Sequence, residues 1–279
     1  MIPRSHRIHP AWIAAGVTFL TLMASAGFRS APTVLIVPLE EAFGWSRAQI
    51  SFAVGLNVLL YGLVSPFAAA LMERFGIRRV VMAALSLVAL GSGATVLIKA
   101  PWQLVVLWGC VVGVGTGSMA LVFAATVASR WFVARRGLVT GILTAAAATG
   151  QLVFLPGLAH AAMSWGWKSV SLIVAACALA AVPLVFLFLG ESPSHRGLRP
   201  YGATETWTPP PASKIPAARL ALGSLKEGAR MPSFWYLVLS FFVCGLSTTG
   251  LVGTHFIPAA HDHGMSEPVA ASLLALIGI

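Results

Sequence analysis

Long apolar runs, separated by short polar interruptions, occupy most of the chain. They cover residues 11–38, 48–72, 79–99, 102–130, 136–160, 168–190 and 232–257, and an eighth run begins near residue 267. Most exceed the roughly twenty residues that an α-helix needs to cross the hydrocarbon core of a bilayer. None shows the two-residue alternation of a transmembrane β-strand. The pattern therefore predicts an all-α, polytopic membrane protein.

Composition and charge agree with this topology. The chain is 58% hydrophobic and 9% charged, which leaves too few polar residues to cover a water-soluble globule. A net charge of +10 would suit nucleic acid if the basic residues shared one face. Instead, 14 of the 18 Lys and Arg residues fall in alternate loops on the side of the N-terminus, and three fall on the other side. The positive-inside rule then places the N-terminus in the cytoplasm and explains the basic residues without a nucleic-acid partner. We expect the protein to lie in the inner (plasma) membrane.

The beginning of the chain allows a second interpretation. Arg4 and Arg7 precede an apolar run, and Ala24-Ser25-Ala26 has the small-residue form of a signal-peptide cleavage site. The run is longer than a signal core and resumes directly after Arg29, which favours an uncleaved first helix.

One long polar segment divides the chain. Residues 191–231 begin with ESPSHRGLRPYG and contain TWTPPPAS, a composition that predicts an extended, mostly disordered cytoplasmic connector. The predicted organisation is a six-helix bundle at 1–190, a linker at 191–231 and the start of a second bundle at 232–279.

A charged turn separates the second and third runs. Its sequence is ALMERFGIRRVV, in which Gly76 permits the reversal of direction and the charges can pack against neighbouring helix ends. The charged residues are Glu73, Arg74, Arg78 and Arg79. An ordinary positive-inside loop is the alternative interpretation.

The layout and this turn resemble the major facilitator superfamily. The turn is similar to the loop signature of that family, with Ala69 in place of its first glycine and Glu73 in place of its aspartate. EEAFGWSRAQIS, GVGTG, RWFVARRGLVTGI and SWGWKSV, in that order, resemble the monocarboxylate and oxalate–formate porter branch. The resemblance implies secondary active transport of small carboxylates by alternating access, with Glu73, Arg74, Gly76, Arg78 and Arg79 as the gating loop. RFGIRRVVMA and SWGWKSVSLI also align, Gly76 over Gly166, as a faint inverted repeat.

Arg29 is the polar residue that the membrane least tolerates. It lies nine residues before Pro38, about 14 Å below the predicted outer surface. No acid in the predicted spans can pair with it, so an anionic substrate is the natural partner of its guanidinium. Asn57, Tyr61 and Gln151 fall in a similar layer of neighbouring helices. We therefore predict a substrate site formed by Arg29, Asn57, Tyr61 and Gln151.

Other roles for these residues stay open. Arg29 can instead snorkel outward or bond to backbone carbonyls near Pro32. Asn57 and Gln151 are equally suited to hydrogen bonds between helices. The glycines of the fourth run, at positions 109, 113, 115 and 117, predict close helix approach and no ligand contact.

The chemistry of coupling is less defined. No metal, cofactor or enzyme site is expected, because metal-ligand spacings, nucleophile motifs and phosphate loops are absent from the sequence. Arginine does not titrate usefully, so proton coupling would need another group. A carboxylate transporter lacking its second half, an inactive membrane fragment and a transporter of a non-carboxylate solute are the alternatives. Reading the encoding DNA past Ile279 distinguishes the first two, and the oligomeric state stays open.

Overall fold

The computed structural model describes residues 9–119, 121–194, 197–204 and 217–277. Arg4, Arg7 and the TWTPPPAS run lie outside them. Seven long apolar helices in the described part confirm the predicted spans: α1 (Pro10–Phe43), α2 (Arg47–Phe75), α3 (Ile77–Thr95), α4 (Pro101–Trp131), α5 (Arg136–Trp165), α6 (Trp167–Phe188) and α8 (Pro232–Asp262). Two shorter helices are α7 (Ala217–Gly228) and α9 (Glu267–Ile277).

The first helix is longer than its apolar run predicts. It continues through Pro32 and Pro38 and ends only at Gly44, whose left-handed backbone (φ 67°) returns a hydrogen bond to Glu40. An internal proline removes one helical hydrogen bond but does not end a helix that its neighbours hold in place. The boundary predicted at residue 38 was therefore five residues short.

The six helices α1–α6 pack in a pattern with internal symmetry. α1 packs on α5 and α6, α4 packs on α2 and α3, and α3 packs on α6. Exchanging the first three helices with the next three maps the two contacts of α1 onto the two contacts of α4, and maps the contact between α3 and α6 onto itself. The two turns that close the repeats also match: Gly76 has φ 92° and ψ 150°, and Gly166 has φ 79° and ψ 169°. Only glycine adopts this backbone region readily, and both residues precede the third helix of a repeat.

A row of glycines on α4 sets the distance to α2. A β-carbon at Gly109 would lie 3.2 Å from the Ala53 carbonyl oxygen. At Gly113 it would lie 3.1 Å from Asn57 Cα, and at Gly117 2.9 Å from Tyr61 Cα. Glycines four apart share one helix face. Their lack of side chains lets the two backbones touch, which confirms the role predicted for these glycines.

Two further glycines hold α1 against α5. Gly27 leaves room for the ring of Phe154, and Gly150 lies directly against the Met23 carbonyl. Met23 meets Gly150, and four residues later Gly27 meets Phe154, so the residue numbers rise together along both helices. α1 and α5 therefore run parallel. Gly27 therefore serves the packing of α1 against α5.

The linker is more ordered than predicted. Ala217–Gly228 forms the helix α7, which packs against α2. Upstream of it, Tyr201 donates its backbone N–H to the Trp131 carbonyl (2.8 Å) and accepts from Val133 N–H (2.9 Å). Its ring also packs against those of His9, Trp12 and Phe132. Tyr201 thereby joins the linker to the turn between α4 and α5 and to the first turn of α1.

Gly117→Ala should lower the unfolding temperature, because the added methyl group meets the backbone of α2 rather than a movable side chain. Overpacking of this kind costs about 1–3 kcal/mol. Thermal unfolding followed by intrinsic fluorescence in detergent micelles measures the change. Gly141→Ala is the matched control, since a β-carbon at Gly141 meets nothing within 4 Å. Equal losses in the two variants would contradict the proposed role of the glycine row.

Candidate functional site

Three of the predicted site residues lie near the middle of their helices. Tyr61 is the central residue of the 29-residue α2, and Gln151 belongs to the central pair of the 30-residue α5. Arg29 lies within three residues of the midpoint of the 34-residue α1. Arg29 lies fourteen residues before Phe43, the last residue of α1, which corresponds to a rise of about 21 Å. Arg29 is therefore further from the end of its helix than the estimate measured from Pro38. These residues therefore share a central layer.

Arg29 and Tyr61 contact one another directly. The guanidinium carbon of Arg29 lies 5.0 Å from the centroid of the Tyr61 ring, within the range of a cation–π interaction. Arg29 is exposed, and within the described part of the chain it forms neither a hydrogen bond nor an ion pair. The alternative in which main-chain carbonyls near Pro32 hold the guanidinium is therefore not the observed arrangement. The hydrogen-bonding edge of Arg29 stays available.

The direction of Arg29 follows from its neighbour Thr33. Residues four apart lie on one face of a helix, and the Thr33 hydroxyl donates to the Gly253 carbonyl of α8 at 3.0 Å. This face of α1 thus points toward the helices that follow the linker. Arg29, one turn away, lies on the face between the two parts of the chain.

Asn57 and Gln151 are placed differently. Asn57 is 4% exposed, and its amide nitrogen donates to the Trp108 carbonyl at 2.8 Å, so it joins α2 to α4. This is the interhelical role that the sequence left open. Gln151 is half-buried, and its amide has no hydrogen bond within the described ranges. Arg29, Tyr61 and Gln151 therefore share an accessible layer, and Asn57 lies behind it.

Charged side chains close the side that the sequence predicts to be outside. The Arg47 guanidinium binds Glu40, at the end of α1, at 2.8 Å. Its other nitrogens bind both carboxylate oxygens of Asp262, at the end of α8, at 2.5 and 2.7 Å. One arginine at the start of α2 thus links the six-helix bundle to α8. Sequence reasoning missed this group, because its acids come from positions 222 residues apart.

The opposite side is open. No residue of α8 from Pro232 to Val252 is buried, whereas Thr254, Ile257 and Pro258, nearer its end, are. α9 also packs against α5 near the predicted outer side. The two parts of the chain therefore meet on that side and separate toward the predicted cytoplasmic side.

The predicted gating loop lies on the open side. Glu73, Arg74 and Arg79 are exposed. Arg78 donates to the Phe186 carbonyl at 3.4 Å and stacks on its ring at 5.3 Å, which ties the turn to α6. Arg74 stacks on Phe75 at 5.2 Å.

An unexpected acid completes this turn. The Glu191 carboxylate lies 2.5–2.6 Å from the position of a β-carbon on Gly76, at the N-terminus of α3. Its Oε2 is buried without a hydrogen bond among the described residues. A helix N-terminus favours a negative charge. The position of Glu191 just after α6, the helix that packs on α3, is the only signal for this contact in the sequence.

Within the described residues, the helical membrane bundle has two parts that meet on one side and a central arginine without an ion pair, an arrangement typical of membrane transporters. The sequence profile of the Major Facilitator Superfamily matches residues 17–279. The chain belongs to this superfamily.

Relatives and solved structures agree with the assignment. The uncharacterised MFS-type transporter YcxA of Bacillus subtilis is 26% identical over 92% of this chain and 59% of its own length. Monocarboxylate transporter 11 of Mus musculus is 27% identical over 96% of this chain and 56% of its own length. The chain thus spans somewhat more than half the length of these relatives.

The fold matches two solved transporters at low sequence identity. One is a bacterial homolog of the human lysosomal transporter Spinster, in an inward-facing and unoccupied conformation. It has a TM-score of 0.74 and 18% identity, over 98% of this chain and 60% of that one. The other is the xylose transporter XylE of E. coli in a partially occluded, inward-open conformation. Its TM-score is 0.68 at 16% identity, over 97% of this chain and 70% of that one.

Gly76→Ala should destabilise the protein more than Gly166→Ala. Both changes strain a backbone that only glycine adopts readily, at a cost of about 1–3 kcal/mol. At Gly76 the new methyl group also displaces the Glu191 carboxylate, whereas at Gly166 it meets nothing within 4 Å. The unfolding temperatures of the two variants are compared, and the difference between them measures the contact with the Glu191 carboxylate. Adding Glu191→Ala to both variants should reduce the difference between their unfolding temperatures. An unchanged difference would show that the carboxylate contact is not its cause.

Proposed function

We propose that this chain supplies the anion-binding part of a secondary active transporter of small organic anions. The observation that carries the proposal is the Arg29 guanidinium. It lies in the central layer, faces the second part of the chain and meets an aromatic ring but no carboxylate within the described residues. A permanent charge at this depth costs about 2.5–3.5 kcal/mol on insertion scales unless it meets water or a partner. A substrate carboxylate fits the planar fork of arginine.

The neighbouring residues take distinct roles in this proposal. Tyr61 holds the guanidinium from one side by stacking and leaves the donor edge free. Gln151 offers an uncommitted amide to the polar part of the substrate. Asn57 positions α2 against α4 through Trp108, so that Tyr61 stays at the level of Arg29. The monocarboxylate transporters among the relatives support a carboxylate as the anion.

Alternating access would use the two sides that differ in the structure. On the predicted outer side, the ion pairs of Arg47 would break for substrate entry. On the predicted cytoplasmic side, the gating loop with Glu73, Arg74, Gly76, Arg78 and Arg79 would close against the second bundle. We place the N-terminus in the cytoplasm because of the basic loops, and we assign the protein to the inner (plasma) membrane as part of the same proposal.

Arg29→Ala should weaken anion binding by about 10- to 100-fold, the effect of losing a hydrogen-bonded charge worth about 1.5–3 kcal/mol. Arg29→Lys should recover only part of the affinity, because an ammonium group lacks the planar fork. Equilibrium binding of radiolabelled lactate, pyruvate, oxalate, formate and an aromatic acid to the chain in lipid nanodiscs measures both effects.

Arg219→Ala is the control for net charge. Arg219 is exposed on α7, away from the central layer, so its removal should leave anion binding unchanged. Binding of every tested anion with the same affinity to the Arg29→Ala variant would exclude the carboxylate site.

A further inference from the structure

One carboxyl group is buried at the junction of the two parts. Glu267, the first residue of α9, is 7% exposed, and its Oε2 has no hydrogen bond within the described part of the chain. The sequence placed every acid in a loop or at a helix border and found no group to carry a proton. The packing of α9 on α5 changes this, because it buries a border residue.

Glu267 lines an open cleft of about 410 Å³ on the predicted outer side. Three elements packed around it contribute to the wall: α1 provides Glu41, α5 provides Met163, and α8 provides His261. The rest of the wall is the connection Gly264–Ser266. The charged or titratable groups that face Glu267 are therefore Glu41 and His261. Protons from the outer water can reach the carboxyl group through the cleft.

Burial favours the neutral form of this carboxyl group. Glu267 lies outside the seven long spans, and burial raises its pKa above the ordinary value. The charge of His261 lowers the pKa, and that of Glu41 raises it. A buried carboxylate without a hydrogen bond is costly, whereas the neutral acid is tolerated. Moving α9 away from α5 would return Glu267 to water and to its ordinary acidity.

We propose that Glu267, with His261 and Glu41, forms a proton-binding site on the predicted outer side, and that proton binding there favours closure of α9 against α5. The step transfers one proton from hydronium in the outer water to a carboxylate oxygen of Glu267: one O–H bond of hydronium breaks, one O–H bond of the acid forms, and water and a neutral carboxyl group remain. No other bond changes. The inference rests on the proposed transport function and makes the outer proton a regulator of the closed arrangement.

The direction of the effect follows from linkage. The closed arrangement holds the proton more tightly than the open one, so protons shift the equilibrium toward closure. The advantage of closure is complete below the ordinary glutamate pKa of about 4.3. It is lost as the pH rises through the raised pKa of the closed arrangement. Acid on the outer side therefore drives the chain toward the form that opens to the predicted cytoplasm.

Infrared spectroscopy of the chain in lipid nanodiscs tests the site. We expect the band of a protonated carboxyl group to titrate with a midpoint above about 4.3. The component of the band with this midpoint should be lost in Glu267→Gln, although the other acids still contribute to the band, and it should be retained in Glu227→Gln, the control at an exposed acid of α7. Absence of such a band, or its persistence in Glu267→Gln, would overturn the proposal.

Variants of the cleft wall check the surroundings without altering Glu267. Glu41→Gln should lower the midpoint of the band, and His261→Asn should raise it, because each removes one charge near the carboxyl group. An unchanged midpoint in both variants would show that the cleft does not control the proton and would refute the proposed site.

Cysteine alkylation measures the closure itself. Ala270 is fully buried on α9, so a cysteine there, in a background with the three native cysteines replaced by serine, should react more slowly at low pH. The rate is expressed relative to a cysteine at the exposed position 272, which cancels the intrinsic pH dependence of thiols. Glu267→Gln should make the ratio low at every pH, since glutamine mimics the protonated acid. A ratio that depends on pH equally in both forms would contradict the coupling.

The proposed function and this inference can fail separately. Arg29→Ala should lose anion binding and keep the titration of Glu267. If anions bind through Arg29 but Glu267 does not titrate, the proton site is wrong and the anion site stands. If Glu267 titrates and Arg29→Ala binds anions normally, the anion site is wrong and the proton site stands.

Discussion

A positive charge that cannot be removed, placed in the middle of a membrane helix, constrains the rest of this molecule. A guanidinium group is a permanent cation, and the described spans provide no carboxylate partner for Arg29. α1 must therefore turn this face away from lipid, toward the junction between the two parts of the chain, where Thr33 already contacts Gly253. The ring of Tyr61 stabilises the cation without neutralising it.

The close approach of helix backbones makes that arrangement possible. Without a hydrophobic driving force between helices in lipid, association depends on tight packing and on hydrogen bonds. Gly113 and Gly117 bring α4 onto α2, and the bond from Asn57 to Trp108 fixes their register. Gly150 likewise brings the backbone of α5 against that of α1. The height and direction of the polar layer are thus consequences of glycine positions that touch no substrate.

The sequence predicts the features that belong to single helices and misses those that depend on packing. Apolar runs predict all seven spans, because length and hydropathy are local properties. The sequence also shows directly that the predicted spans contain no acidic residue to pair with Arg29. Whether Asn57 faces a cavity or a neighbouring carbonyl depends on helix rotation, which no local pattern sets. Glu191 and Glu267 both lie at helix borders in the sequence, and only contacts between distant helices bury them. The Pro-rich neighbourhood concealed the amphipathic pattern of α7.

The attachment of Tyr201 determines where the described part of the connector meets the first bundle. Its backbone bonds to Trp131 and Val133 fix the connector at the turn between α4 and α5, and its ring rests on Trp12 of α1. Movement of this part of the connector would therefore act on the end of α4 and on the beginnings of α5 and α1, while α7 contacts α2. The helix that carries Arg29 is therefore one of those on which the connector acts.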